Sequence, residues 1–394
     1  MTREEFVKQC AKMGIGISLF PGLLASCSEE ETPVVAFSGK VLIIGAGSAG
    51  LMAAYTLQKF GIDFEILEAS DRYGGRVRIL ENFADFPIDI GAEWLHTSPS
   101  VFGELIDDES ATGEIDMIPY KADTMYRWNG DQLRRFNIVS TYYGEYKFKT
   151  STWFQFFDQF IAPKFLDKIR LKTPVVGIDA SGDQVVVEDD QNNTHVADRV
   201  IVTVPLTILK NNFINFRPSF SRPKQAAIDK SIMPAGIKVF IKFKEKFYHD
   251  IVQVSVDGLR DSERIYYDAA FRKGRQDHVL GLFAAGEGAR ELTDLEDDNV
   301  IIEAVLDELD QIFDGKARQH YIKHVVQNWS AEPFIQGSYS FGGENYEDTI
   351  DFLLEPINDK VFFAGEAMNK DYWATVHGAG LSGIETAKEV LRRP

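Results

Sequence analysis

Lys40-Val41-Leu42-Ile43-Ile44-Gly45-Ala46-Gly47-Ser48-Ala49-Gly50 decides how the chain folds. A short apolar run rich in β-branched residues gives way to three glycines and then to a helical pattern over 51–60, which reads as strand, turn and helix. Gly45 permits the tight turn, Gly47 lets a pyrophosphate approach the backbone, and Gly50 lets helix and strand pack closely. Free N–H groups at the helix start, from Ser48 and Ala49 onward, would meet the phosphate. After Gly61, Phe64-Glu65-Ile66-Leu67 reads as a second strand ending at Glu68, eighteen residues beyond Gly50, where a carboxylate is set for ribose hydroxyls. These residues describe a cradle for an adenine dinucleotide. They leave NAD and FAD equally open.

A chain of 394 residues has room for two or three domains of roughly 150 residues and a sizeable core. The 42 Lys+Arg against 60 Asp+Glu leave a net charge of −18, which repels a phosphate backbone and argues against nucleic acid as a partner. Hydrophobic residues at 44% and charged residues at 26% are those of a globular protein rather than a disordered one. The only cysteines, Cys10 and Cys27, precede the folded region, so no disulfide framework or cysteine metal site is expected. No metal is expected elsewhere either: His320 and His324 have helical spacing, but Val325-Val326 beside them suggests a strand.

The first thirty residues read as an export signal. A weakly positive start (Arg3, Lys8, Lys12) precedes an uncharged stretch over 13–26, too short to span a bilayer and broken by Pro21-Gly22. Leu24-Ala25-Ser26-Cys27 resembles the bacterial lipobox, which implies cleavage after residue 26, acylation of Cys27 and a membrane-anchored exported protein, with 27–36 as a polar tether. Residues 2–8 resemble a twin-arginine motif, but Glu4 stands where the second Arg belongs.

Glu68-Ala69-Ser70-Asp71-Arg72-Tyr73-Gly74-Gly75-Arg76 resembles the extension that follows the ribose-binding acid in flavoprotein amine oxidases, which implies FAD. There Ala69, Gly75 and the Arg76 guanidinium contact the cofactor, a planar fork meeting an anion. An exported enzyme also lacks a soluble nicotinamide pool, whereas a bound flavin travels with its protein.

Later segments fall in the order of the flavin-containing monoamine and polyamine oxidase family over 40–391. Asp89-Ile90-Gly91-Ala92-Glu93-Trp94-Leu95-His96 resembles its flavin-edge segment, and 174–178 the strand whose backbone at Val175 reads adenine. Val204-Pro205-Leu206 matches the turn after a buried strand, and Ile237-Lys238-Val239-Phe240 the strand bearing a lysine held through a water against flavin N5. Trp329, Glu332-Pro333 and Gly337-Ser338-Tyr339-Ser340 resemble the segment that sets an aromatic ring beside the flavin. Gly365-Glu366 ends the last strand, whose acid binds the ribityl chain, and Thr375-Val376 opens the last helix, with N–H groups facing the pyrimidine ring.

The resemblance implies an α/β fold: a discontinuous, GR2-type Rossmann-like FAD-binding domain (37–98, 167–230, 355–394) and an α+β substrate-binding domain (99–166, 231–354). It implies noncovalent FAD, because Ser338 stands where monoamine oxidases carry the attaching Cys. Val376, with Thr375 before it, replaces the second tyrosine of their aromatic sandwich, and the stretch between Trp94 and Pro174 is shorter than usual, so an open pocket under a reduced lid is expected. Phe154, Phe156, Phe157 and Phe160 read as core of that lid, and 292–313 as an amphipathic helix starting at Thr293 or Asp294. By alternation alone Lys238 belongs with Lys242 and Lys244 on a solvated face.

The implied chemistry is oxidation of a small-molecule amine. Hydride passes from the carbon beside a neutral nitrogen to flavin N5, the imine hydrolyses, and O2 becomes H2O2. Tyr339 would hold the amine carbon beside Thr375, Lys238 would assist reoxidation or proton movement, and Glu93 and His96 would receive a second, cationic nitrogen. An FAD-dependent L-amino-acid oxidase or C–C desaturase is the rival within enzymes, although no arginine can be assigned to a substrate carboxylate. An inert flavin-fold surface lipoprotein is the rival of another class.

Overall fold

The computed structural model describes residues 36–108, 115–135, 145–255, 263–295, 297–341 and 346–394. The expected signal, tether and Cys27 lie outside the described residues, apart from Ala36. The site is positioned by β1 (Lys40–Ile44), α1 (Ser48–Lys59), β2 (Asp63–Leu67), α2 (Trp153–Phe160), β3 (Ile169–Arg170), β4 (Arg199–Val202), β5 (Gly236–Phe243), β6 (Glu263–Asp268), β7 (His278–Ala285), β8 (Tyr321–Asn328), β9 (Val361–Phe363) and α3 (Val376–Arg392).

A five-stranded parallel sheet in the order β9-β4-β1-β2-β3 forms the Rossmann-like layer. β1 sits at its centre, with Val41 opposite Arg199 on one side and Phe64 on the other. Its side chains alternate between two cores, as a parallel strand covered on both faces requires. Val41 and Ile43 pack with α1, α3 and Phe64, whereas Leu42 and Ile44 pack with Val200, Val202 and Phe363. Burying each such side chain contributes about 1.5–3 kcal/mol.

The second sheet has seven strands in the order β8-β5-β7-β6, followed by Ile251–Val254, Met125–Trp128 and Leu133–Arg135. One face packs Ile237, Val239 and Ile241 against Ile301, Val305 and Leu309 of the Asp298–Ile312 helix. The other packs Phe240 and Tyr267 against Phe83, Phe86, Ile88 and Ile90. Because both faces are covered, Lys238 is buried, and the solvated position that alternation suggests for it is wrong.

Two local expectations shift. The 292–313 helix is two helices, Glu287–Thr293 and Asp298–Ile312, and the second is capped by Asp297, whose side chain accepts from Asn299 N–H at 2.7 Å. The aromatic run on α2 does not form a separate lid core: Phe156 and Phe157 join Trp153 and Phe102 in the core beneath α1. The 99–166 stretch thus feeds both layers, since its strands at 125–128 and 133–135 complete the second sheet. His320 ends a short helix, while His324 lies on β8 beside Tyr321.

Candidate active site

β1 runs into Gly45, whose φ of +103° lies where only glycine is unstrained, and its N–H donates to Leu67 O at 2.8 Å. Gly50 packs so closely that a Cβ would strike the Gly45 carbonyl, so it joins helix to turn and does not itself line the cavity. Glu68, buried at the end of β2, accepts from Ala46 N–H at 2.6 Å through one oxygen and from Ser70 N–H at 2.9 Å through the other. Its carboxylate therefore shapes the glycine turn as well as facing the space beyond it.

One cavity includes this turn in its lining. Gly45, Gly47, Ser48, Ala49, Glu68, Ala69, Val175, Gly75, Arg76, Gly91, Ala92, Gly365, Glu366, Lys238, Tyr339, Thr375 and Val376 all line it. Residues from both sheets and from the start of the last helix thus share one continuous wall. Ser48 Oγ donates to Val376 O at 2.8 Å, so the N-termini of α1 and α3 meet.

Arg76 is held at the cavity wall. Its Nη1 donates to Ser338 O and to Glu366 Oε1, each at 3.0 Å, and Glu366 also accepts from the Ser340 N–H and hydroxyl. Sequence reasoning found Arg76 and Glu366 but missed Ser340, whose hydroxyl satisfies the buried acid. Thr375 lines the cavity, yet its hydroxyl is committed: it accepts from Gly378 N–H at 2.9 Å as the α3 cap and donates to Tyr372 O at 2.6 Å.

The Tyr339 ring lies near-parallel to those of Phe283 (6.3 Å, 19°) and Phe341 (6.2 Å, 29°). Its hydroxyl donates to Glu263 Oε2 at 3.5 Å, and burial with the neighbouring carboxylate pushes the phenol up. Lys238 Nζ lies 2.8 Å from Glu93 Oε2 and 3.2 Å from Asp89 O. Burial lowers its ammonium pKa, against the pull of Glu93.

Glu93 and Trp94 do not line the cavity. Glu93 is buried between two lysines, with Lys147 Nζ at 2.5 Å from its other oxygen, and Tyr267 also donates to it. Burial would raise this carboxyl, but Lys147 and Lys238 hold it down at about 2. A carboxylate so fully engaged is not a receiver for a substrate ammonium, which corrects the role expected of it. His96 is exposed, 3.4 Å from Glu145, and lies outside the cavity lining. No spacing in the sequence marks Lys147 or Tyr267, because strand pairing and loops bring them to Glu93 from distant segments.

Residues 48–146 and 155–391 match the sequence profile of the flavin containing amine oxidoreductases. The chain belongs to that family. Among amine oxidoreductase relatives, mouse lysine-specific histone demethylase 1B is 29% identical over 93% of this chain and 55% of its own length. Polyamine oxidase 2 of Arabidopsis thaliana is 25% identical over 94% of this chain and 91% of its own. The chain spans about half the length of the histone demethylases that it matches. A solved structure of wild-type putrescine oxidase bound to putrescine superposes with a TM-score of 0.74 at 16% identity, covering 91% of this chain and all of that one, which establishes the fold.

The cofactor of this amine oxidoreductase is FAD, and the residues suit it. A Cβ placed on Gly47 would meet no atom within 4 Å, so the cradle is open where a pyrophosphate must come close. The first turn of α1 has no side-chain cap, which leaves its N–H groups for an anion. Arg76 brings a guanidinium to the same cavity.

Proposed function

We propose that this chain oxidises the C–N bond of a small-molecule amine. FAD held along the cavity by Gly47, Glu68, Arg76 and Glu366 would supply the two-electron acceptor for this oxidation. The substrate would lose hydride from the carbon beside the nitrogen to become an imine that water hydrolyses, with O2 as final acceptor reduced to H2O2. The single observation that carries the reading is the continuity of the cavity from the glycine turn to Tyr339 and Lys238.

The chain's own residues act by holding and excluding. Gly47, Ser48 and Ala49 would hold the pyrophosphate, Glu68 the adenosine ribose, Val175 the adenine and Glu366 the ribityl chain. Tyr339, which lines the cavity beside Phe283 and Phe341, would present one aromatic wall to the amine, and a ring face favours a cation on approach. Lys238 would hold or release a proton at Nζ where the cavity wall meets Glu93. Ser338 offers no thiolate, which supports noncovalent attachment.

Glu263 is not itself in the cavity lining, but it accepts from the Tyr339 hydroxyl and, unlike Glu93, is not paired to two lysines. It would take the part that the sequence suggested for Glu93, a carboxylate behind the substrate wall for a second, cationic nitrogen. A diamine or longer linear amine is therefore the proposed substrate, favoured weakly by the net charge of −18. The organisation proposed for the chain is FAD-binding (37–98, 167–230, 355–394) and substrate-binding (231–354), with the 99–166 stretch expected in the substrate domain shared between the two layers. Anchoring through an acylated Cys27 is likewise a proposal, tested by labelling expressed protein with a radioactive fatty acid.

The experiment is an anaerobic titration. The purified yellow protein is mixed with a panel of monoamines, diamines, polyamines and amino acids. Bleaching by amines, followed by stoichiometric H2O2 on admitting air, supports the reading. Bleaching by amino acids alone overturns it in favour of an amino-acid oxidase, and no bleaching by any compound favours an inert flavin fold.

A further inference from the structure

Outside the cavity, Trp373 stands 37% exposed, whereas the other four tryptophans are buried or half-buried. An indole left in water forgoes a large gain from burial. The loop that carries it is tightly held. Asn369 Oδ1 accepts from the Asp371 and Tyr372 N–H groups at 3.1 and 2.7 Å, and Tyr372 O accepts from the Thr375 hydroxyl at 2.6 Å. Ala374, whose N–H donates to Glu366 O at 3.0 Å, is kept at a φ of +60°, in the left-handed region that a residue with a Cβ enters at a cost. That turn divides neighbours. Ala374 and Thr375 line the cavity, and Trp373 is left outside it.

A row of rings links the exposed indole to the cavity wall. Phe283 and Tyr339, which line the cavity, lie 6.3 Å apart; Phe341 follows Tyr339 at 6.2 Å, and Trp373 meets Phe341 edge to face at 6.4 Å. Tyr346 backs Trp373 at 5.8 Å, its own hydroxyl tied to Ala367 O at 2.7 Å. Phe341 is half-buried, so the row comes to the surface by steps. Each step is close to the separation of successive nitrogens in an aliphatic polyamine, and ring faces attract cations. Charge agrees with this. Glu263 accepts from the Tyr339 hydroxyl at one end of the row, and the exposed Asp371 precedes Trp373 at the other. Lys370, the cation of that loop, is paired with Asp351 at 2.6 Å and offers little repulsion.

We propose that Trp373 is a specificity-determining residue: with Phe341 it forms a platform outside the cavity for the distal ammonium of a long linear amine whose reacting end lies at Tyr339. The inference rests on the amine reading above and adds a length preference to it. A short diamine ends before the platform and gains nothing from it. A long one gains a second cationic contact on a surface that is already in place, without ordering a loop.

The test reads binding rather than turnover. Holoenzyme reduced anaerobically with dithionite accepts no further hydride, so diaminobutane, diaminodecane and decylamine can be titrated into it by calorimetry. Diaminodecane is expected to bind the wild type more tightly than diaminobutane. Trp373→Ala should weaken diaminodecane about two- to fivefold, the scale of a cation–ring contact at an exposed site, and Trp373→Phe should recover most of the loss. Decylamine has the same chain without the distal ammonium and should lose less. Equal losses for diaminodecane and decylamine, equal losses for the two diamines, or no loss at all each overturn the proposal. If none of the three binds, the platform falls, and the bleaching titration still decides the amine reading by itself.

Discussion

Arg76 Nη1 sits 3.0 Å from Glu366 Oε1, and this pair joins the loop after β2 to the turn after β9 across 290 residues of sequence. Arg76→Met leaves Glu366 buried with Ser340 but without its cation, and losing one partner of such a bond costs about 1.5–3 kcal/mol. The variant is expected to melt earlier and to be purified with less flavin. Both are read from the 450 nm region of the spectrum and a thermal melt, and an unchanged flavin content would contradict the assignment of Arg76 to the cofactor wall.

Gly47 and Gly50 separate binding from folding. Gly47→Ala puts a methyl group into open space and should leave the apoprotein melt near the wild type while lowering FAD affinity. Gly50→Ala drives a Cβ against the Gly45 carbonyl, so the strand–helix unit itself is expected to lose about 2 kcal/mol or more, a loss in the range found for overpacking. Equal effects of the two substitutions on apoprotein stability would be the contrary result.

Glu263→Gln should raise KM for a diamine roughly tenfold, the effect of losing a charged hydrogen bond of about 1.4 kcal/mol or more, with little change in kcat. A monoamine of similar length should be unaffected. Steady-state peroxide assays with matched pairs check this, and equal effects on both substrates would remove Glu263 from recognition of the second nitrogen.

Lys224 gives a pH signature. Its ammonium is buried over the Phe363 ring and donates to Leu353 O and Glu355 O, and burial lowers it to about 7 despite Glu355. An unfolded lysine titrates near ~10.4, so between about 7 and that value the unfolded chain binds the extra proton, and this group makes stability rise with pH. Lys273, drawn down to about 8, acts with the same sign. Lys224→Met should flatten the rise in urea midpoint across this window; an unaltered slope would be the contrary result.

The cradle was legible in the sequence because its logic is local: β1, Gly45, Gly47, Gly50 and Glu68 lie within thirty residues, and each has a stereochemical reason for its place. Lys238 was legible only through resemblance. Its strand alternates as if one face met water, and that reading fails because Phe83, Phe86 and Ile88, far away in sequence, cover the second face. Glu93 was found but its part misjudged, since Lys147 and Tyr267 reach it from segments with no motif of their own. The 292–313 helix began later than expected because Asp297, not Thr293, supplies the cap.

The hydroxyl of Ser48 rests on the Val376 carbonyl, 328 residues away in sequence. The glycine turn is thus translated long before the partner that completes it, and the α1 N-terminus is finished only when α3 has docked.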